Sequence, residues 1–122
     1  MKYVCLIYSE RQGIDALPRP EWDAILAEYE AFTDGIRTSG QFVAAEALQP
    51  VQAAKTLRIR SGKLSVTDGP FAETREQLGG FFLIEARDLA EAVQVASRIP
   101  GVRWGSIEVR PVMQFDQQPA RA

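Results

Sequence analysis

Histidine and asparagine are both missing from this chain of 122 residues, and cysteine occurs once. Without histidine the usual general base near neutral pH is absent, together with imidazole ligation of haem and of most zinc sites. A Ser-His-Asp or Cys-His arrangement is excluded outright. No transition-metal site is expected, although carboxylates can hold Mg²⁺ or Ca²⁺ weakly. The lone Cys5 permits no internal disulfide, which suits a reducing compartment. It sits inside an apolar run, where cysteine acts as a small buried hydrophobe, and no neighbouring cation in sequence would lower its pKa.

A basic excess is lacking too. Fourteen Lys and Arg stand against sixteen Asp and Glu, a formal charge of -2. A nucleic-acid module needs a basic face to release phosphate counterions, so direct nucleic-acid binding is not expected. The tightest basic group, Lys55, Arg58, Arg60 and Lys63, reads as the solvated face of a hairpin. No apolar run approaches the roughly 18 residues of a membrane span. The opening apolar stretch is too short for a signal peptide and has no small-residue cleavage site. A cytoplasmic protein without a membrane segment is the expectation. Phosphate-binding patterns of the GxGxxG or Walker type are absent, and no cofactor is expected.

What is present is the composition of a globular domain, 46% hydrophobic and 25% charged. The length suffices for one core and not for two. Residues 3–8 form an almost unbroken apolar run of strand formers, predicting a strand covered on both faces. A loop is expected at residues 9–18. Pro20 then opens a helix with Glu21 and Asp23 in its first turn. Its apolar stripe is Trp22, Ile25, Leu26, Tyr29, Phe32 and Ile36, and Ser39-Gly40 ends it. A weaker strand is expected at residues 42–48, followed by connecting chain at 50–54.

The clearest local signal spans residues 56–67. Two strands flank Ser61-Gly62, setting Ile59 opposite Leu64 and Leu57 opposite Val66 on one face, with Arg58 and Ser65 on the other. Asp68-Gly69-Pro70-Phe71 is a turn by composition. Gly79-Gly80 leads into a strand at 81–84 that is again apolar on both faces. Asp88 and Glu91 have the spacing of a capping box, and Leu89, Ala92, Val93, Ala96 and Ile99 form the stripe of a second helix stopped by Pro100-Gly101. The final strand is expected at 105–113, and residues 114–122 form a polar tail.

The order is strand, helix, strand, hairpin, strand, helix, strand. Two helices crossing one largely antiparallel sheet is the ferredoxin-like α+β plan. Two helices cover only one face of that sheet, while two of its strands are apolar on both. A second copy packed sheet to sheet is the economical cover.

Three segments are specific enough to indicate a family: Val66-Thr67-Asp68-Gly69-Pro70-Phe71-Ala72-Glu73-Thr74, Glu76-Gln77-Leu78-Gly79-Gly80-Phe81, and Gly105-Ser106-Ile107-Glu108-Val109-Arg110-Pro111-Val112. They resemble the YCII-related family, in its branch named for the DGPF motif. The likeness covers residues 1–113 as a single domain. It implies a ferredoxin-like domain, an antiparallel sheet with two helices on one face and a β-hairpin, forming a dimeric α/β barrel. The family has no settled general activity. Some relatives look like small-molecule enzymes using a His–Asp pair, and DGPF proteins often accompany alternative sigma factors. Members commonly carry His just before the Gly-Ser-Ile-Glu-Val-Arg-Pro strand, and this chain has Trp104 there. Asp68 stands alone as the catalytic candidate.

Asp68 is read in two ways. It opens a turn while Phe71 plugs back into the core, or it is a base or anchor at a cleft mouth with Gly69, Pro70, Phe71 and Thr74 as ligand-binding neighbours. Glu73, Thr74 and Glu76 otherwise form the solvated first turn of a short helix. Strand alternation places Trp104, Ser106, Glu108, Arg110 and Val112 on one face. Glu108 and Arg110 are then a buried structural pair or polar groups of a cleft. Gly79-Gly80 marks a bulge or a close backbone approach. Two functions follow: a cofactor-free protein or enzyme binding a small molecule in a cleft lined by Asp68, Trp104, Glu108 and Arg110, or a non-catalytic regulatory module, with a sigma-factor partner implied by the resemblance alone.

Overall fold

The computed structural model describes residues 1–10 and 17–115. In chain order the elements are β1 (Lys2–Ser9), α1 (Arg19–Thr38), β2 (Phe42–Ala47), β3 (Lys55–Arg60), β4 (Lys63–Asp68), β5 (Gln77–Glu85), α2 (Leu89–Ala96) and β6 (Gly105–Pro111). Short 3-10 turns occupy Val51–Ala53 and Pro100–Arg103. This is the order read from the sequence. Most of the expected loop at 9–18 and of the tail at 114–122 lies outside the described residues.

Local chemistry accounts for the boundaries. Pro20 sits in the first turn of α1, where its missing N–H has no helical partner to lose. Gly40 beyond the helix adopts φ 78°, a left-handed conformation that closes the last turn. Ser61 and Gly62 have φ 53° and 75°, the paired positive values of a tight hairpin turn. The register is the expected one, Leu57 opposite Val66 and Ile59 opposite Leu64. Asp88 caps α2 by accepting the Glu91 backbone N–H at 2.9 Å. The reciprocal arm differs from a capping box, since the Glu91 carboxylate accepts from Arg87 N–H at 3.0 Å.

β2, β5, β1 and β6 form one sheet in that order, and every neighbouring pair is antiparallel. The core fills the helix side of it. Tyr3, Cys5, Phe82 and Ile84 from the sheet meet Ile36 of α1 and Ala92, Val95, Ala96 and Ile99 of the second helical segment. The second stripe therefore differs from expectation. Val95 is buried, whereas Leu89 and Val93 are about half exposed, because α2 lies on the sheet through its 92–95–96–99 edge. Phe32 meets Phe82 edge-on at 5.0 Å.

Tertiary pairing also moves two ends. β5 begins at Gln77 rather than Phe81, since Gln77 and Leu78 pair with Ser9 and Tyr8 across an irregularity. The pairing steps from Gly80 to Leu78 there, leaving Gly79 as the extra residue of a bulge. Both readings of the glycine pair hold, because a Cβ on Gly80 would lie 2.7 Å from the Glu46 carbonyl oxygen. No helix forms at 73–76; bends replace it, with Thr74 Oγ1 donating to the Glu76 carbonyl at 2.6 Å.

Among the described residues, no helix covers the other face of the sheet. Alternation aims Val4, Leu6, Tyr8, Phe81 and Leu83 away from the helices, and none of them joins the core. β3 and β4 form a separate two-stranded sheet. Its apolar face, Leu57, Ile59, Leu64 and Val66, is exposed throughout.

Candidate functional site

The expected site residues do not all come together: Pro70, Phe71 and Thr74 share one groove, whereas Asp68, Trp104, Glu108 and Arg110 lie apart from it. Asp68 ends β4, is 84% exposed and is ion-paired with Lys55. Gly69, at φ 104°, turns the chain. Its N–H donates to Ala54 carbonyl at 2.8 Å, and its own carbonyl accepts from Thr56 Oγ1 at 2.9 Å. The motif thus folds back on the base of its own hairpin. Phe71 does not plug into the core: it is 78% exposed, with the Arg58 guanidinium 5.1 Å from its ring centre. The ring lies instead on the wall of a groove beside the loop between β4 and β5.

A groove of about 650 Å³ does lie beside this loop, lined by Pro70, Phe71, Thr74, Tyr8, Leu48 and Val51 among others. Asp68 is not part of its wall. Glu108 and Arg110 are elsewhere again. β6 is an edge strand, and they sit opposite Leu6 and Val4 on the uncovered face. Arg110 Nε donates to Glu108 Oε2 at 3.0 Å. The pair is solvent-exposed and neither buried nor in the helix-side cleft. Sequence periodicity marks the face of a strand but not its place in the sheet, and that place decides solvation.

Trp104 departs from the alternation because it precedes β6, closing the Pro100–Arg103 turn at φ -131°, ψ 3°. That turn swings it to the helix side. There a cleft of about 400 Å³ opens between α1 and the sheet. Trp22, Ile25, Leu26 and Tyr29 of α1 form one wall; Ile7, Phe82, Gly80 and Trp104 contribute to the rest. Tyr29 and Phe82 are parallel with ring centres 6.5 Å apart. Gly79 and Gly80 pass along the cleft as bare backbone, with Gly80 close against Glu46 of β2. Burial pushes the Tyr29 hydroxyl up from the ordinary tyrosine pKa.

The α1 wall residues Trp22, Ile25, Leu26 and Tyr29 were legible as a stripe, with nothing in their spacing to separate cleft from core. Cys5 is fully buried, and burial raises its thiol to about 11, an inert structural group. Among the described residues no group of three or more Asp, Glu or Cys side chains is placed to hold a metal ion. None of their helices is long and apolar enough to cross a membrane.

These features define a ferredoxin-like α+β domain with an aromatic cleft on its helix side and an open apolar sheet face. The chain belongs to the YCII-related family, whose domain matches residues 1–116. An uncharacterized protein of Rhizobium meliloti (strain 1021) is 36% identical over 117 residues, 94% of each chain. Among solved structures, the 5-chloro-2-hydroxyhydroquinone dehydrochlorinase of Burkholderia phenoliruptrix AC1100, in complex with 2,5-dihydroxybenzoquinone, shares the fold. Its TM-score is 0.54 at 10% identity, covering 98% of this chain and 100% of that one.

Proposed function

We propose that this protein binds a small, flat, largely apolar molecule in the cleft between α1 and the sheet. The observation that carries this reading is the convergence of Trp22, Tyr29, Phe82 and Trp104 on one cleft of about 400 Å³. A cleft of that size walled by aromatic rings suits a ring compound. The dehydrochlorinase of the same fold, solved with a small ring compound, supports that class of ligand. Binding without His–Asp chemistry fits better than catalysis by that pair: the chain has no histidine, and Asp68 lies outside the cleft. The motif Asp68-Gly69-Pro70-Phe71 supports a place in the DGPF branch, with a turn-forming role for Asp68. A cofactor-free, cytoplasmic protein is in keeping with the single free thiol of Cys5.

The working form in this proposal is a homodimer closed through the open sheet face, as a barrel. Val4, Leu6, Tyr8, Phe81 and Leu83 support it, since a contiguous apolar face without cover marks an interface. Tryptophan fluorescence tests the ligand reading directly, because Trp22 and Trp104 are the only two tryptophans and both line the cleft. A panel of small phenols, ketones and aromatic acids should contain compounds that quench this emission saturably and raise the melting temperature. A panel that does neither would remove the reading.

One observation favours a second function, a non-catalytic interaction module. The four apolar side chains on the exposed hairpin face resemble a docking surface more than a solvated strand pair. Replacing Leu64 with Glu should abolish regulation in that case while leaving ligand quenching untouched.

A further inference from the structure

Tyr29 carries an incomplete hydrogen-bond set inside the cleft. Its ring is held parallel to Phe82, and its hydroxyl oxygen lies against the Gly101 backbone, whose N–H acts on it as a donor and partly offsets the effect of burial. A Cβ at position 101 would lie 2.7 Å from that oxygen, so any side chain there would displace the Tyr29 hydroxyl. The acceptor role of the oxygen is therefore built into the backbone, which leaves the O–H proton to be given elsewhere. No described residue takes it. The adjacent carboxylate of Glu28 is committed, with both oxygens bound by Arg103 at 2.8 and 2.7 Å. Tyr3, the other well-buried tyrosine, differs in that its hydroxyl donates to Met1 sulfur.

A half-buried donor without an acceptor, on the wall of a cleft, is a group waiting for a ligand atom. The charge of the wall narrows the choice. Among the described residues no lysine or arginine lines it, and Glu46, opposite Phe81, directs its carboxylate to the other face of the sheet. An anionic ligand would lose its hydration with no cation on the wall to replace it, which is unfavourable. A neutral ring with an acceptor oxygen meets both conditions.

We propose that Tyr29 is the ligand-orienting donor of this cleft, and that it selects uncharged flat rings bearing a carbonyl-type oxygen. This rests on the small-molecule reading of the cleft given above. The ring stacks among the aromatic side chains while the Tyr29 O–H donates to the oxygen. Gly101 fixes the hydroxyl from behind, and the Arg103–Glu28 pair braces the turn that carries it.

The test uses three probes of one shape, 1-indanone, indane and indane-2-carboxylate, read by tryptophan quenching on the full chain. The wild-type protein should bind 1-indanone more tightly than indane, and the carboxylate least. Tyr29→Phe, which keeps the ring and its stacking, should weaken 1-indanone about tenfold and leave indane unchanged. Equal weakening of both probes, or none, would overturn Tyr29 as donor while the small-molecule reading stands on indane binding. If no probe binds the wild-type protein, that reading falls and this one with it. Should Tyr29→Phe lower the melting temperature too far for titration, wild-type preference for the carboxylate over the ketone is by itself contrary to the proposal.

Discussion

Arg103 grips Glu28 through two hydrogen bonds, tying the turn before β6 to the outer side of α1 across 75 residues of chain. Those bonds hold the Glu28 carboxyl below the usual carboxylate range and the Arg103 guanidinium above its own. The stabilisation is complete above the ordinary carboxylate pKa and disappears as pH falls through the lowered folded value. Both side chains are exposed, so the effect on stability is small. Glu28→Gln should lower the melting temperature by only a few degrees yet shift the Trp104 emission, because Arg103 also lies 5.2 Å over that ring. Unchanged emission would show that the clamp does not position Trp104.

Cys5 is enclosed by the core, and burial raises its thiol from 9.0 to about 11. A raised folded pKa means stability that is full below pH 9 and lost as pH climbs toward 11. Two units correspond to roughly 2–3 kcal/mol. Denaturant melts between pH 8 and 11 should show a steeper decline for the natural protein than for Cys5→Ala. The native thiol should also resist thiol reagents at pH 8 until the chain unfolds.

Asp68→Asn should cost less than about 1 kcal/mol, since asparagine keeps the turn and the lost Lys55 pair is exposed. Ligand binding should be unchanged. Adding Trp104→His should not create activity, because the two positions do not share a cleft. A loss of affinity of tenfold or more in the single variant would return Asp68 to the site.

The open face predicts a mass near twice 13.5 kDa by light scattering at micromolar concentration. Leu6→Glu sits at the middle of that face, opposite Phe81 on one side and Glu108 on the other. A buried unpaired carboxylate there should split the pair into folded monomers. A variant that stays dimeric would move the interface off this face, and the exposed hairpin would be the next surface to test.

Much of the fold was legible because its signals are local. The 61–62 turn, the Asp88 cap and the α1 stripe each depend on residues within a few positions of one another. The Gly79-Gly80 pair was legible as an irregularity for the same reason, since few other conformations call for two adjacent glycines before a strand. The site was not legible in that way. Asp68, Trp104, Glu108 and Arg110 looked like one constellation because they are the polar and aromatic groups of two conspicuous motifs.

The amino-acid sequence alone determined the order of elements, the register of the hairpin, the inertness of a lone cysteine in an apolar strand and the exclusion of histidine chemistry. Each of these follows from periodicity, turn stereochemistry or the absence of a functional group. Only the tertiary structure decided that β6 is an edge strand, that Phe71 stays outside under Arg58 and that Trp104 turns into the helix-side cleft. It also decided that the Gly101 backbone packs against the Tyr29 hydroxyl from 72 residues away. Such facts depend on which strands become neighbours, and the free energy that selects neighbours is summed over the whole core rather than written at any one position.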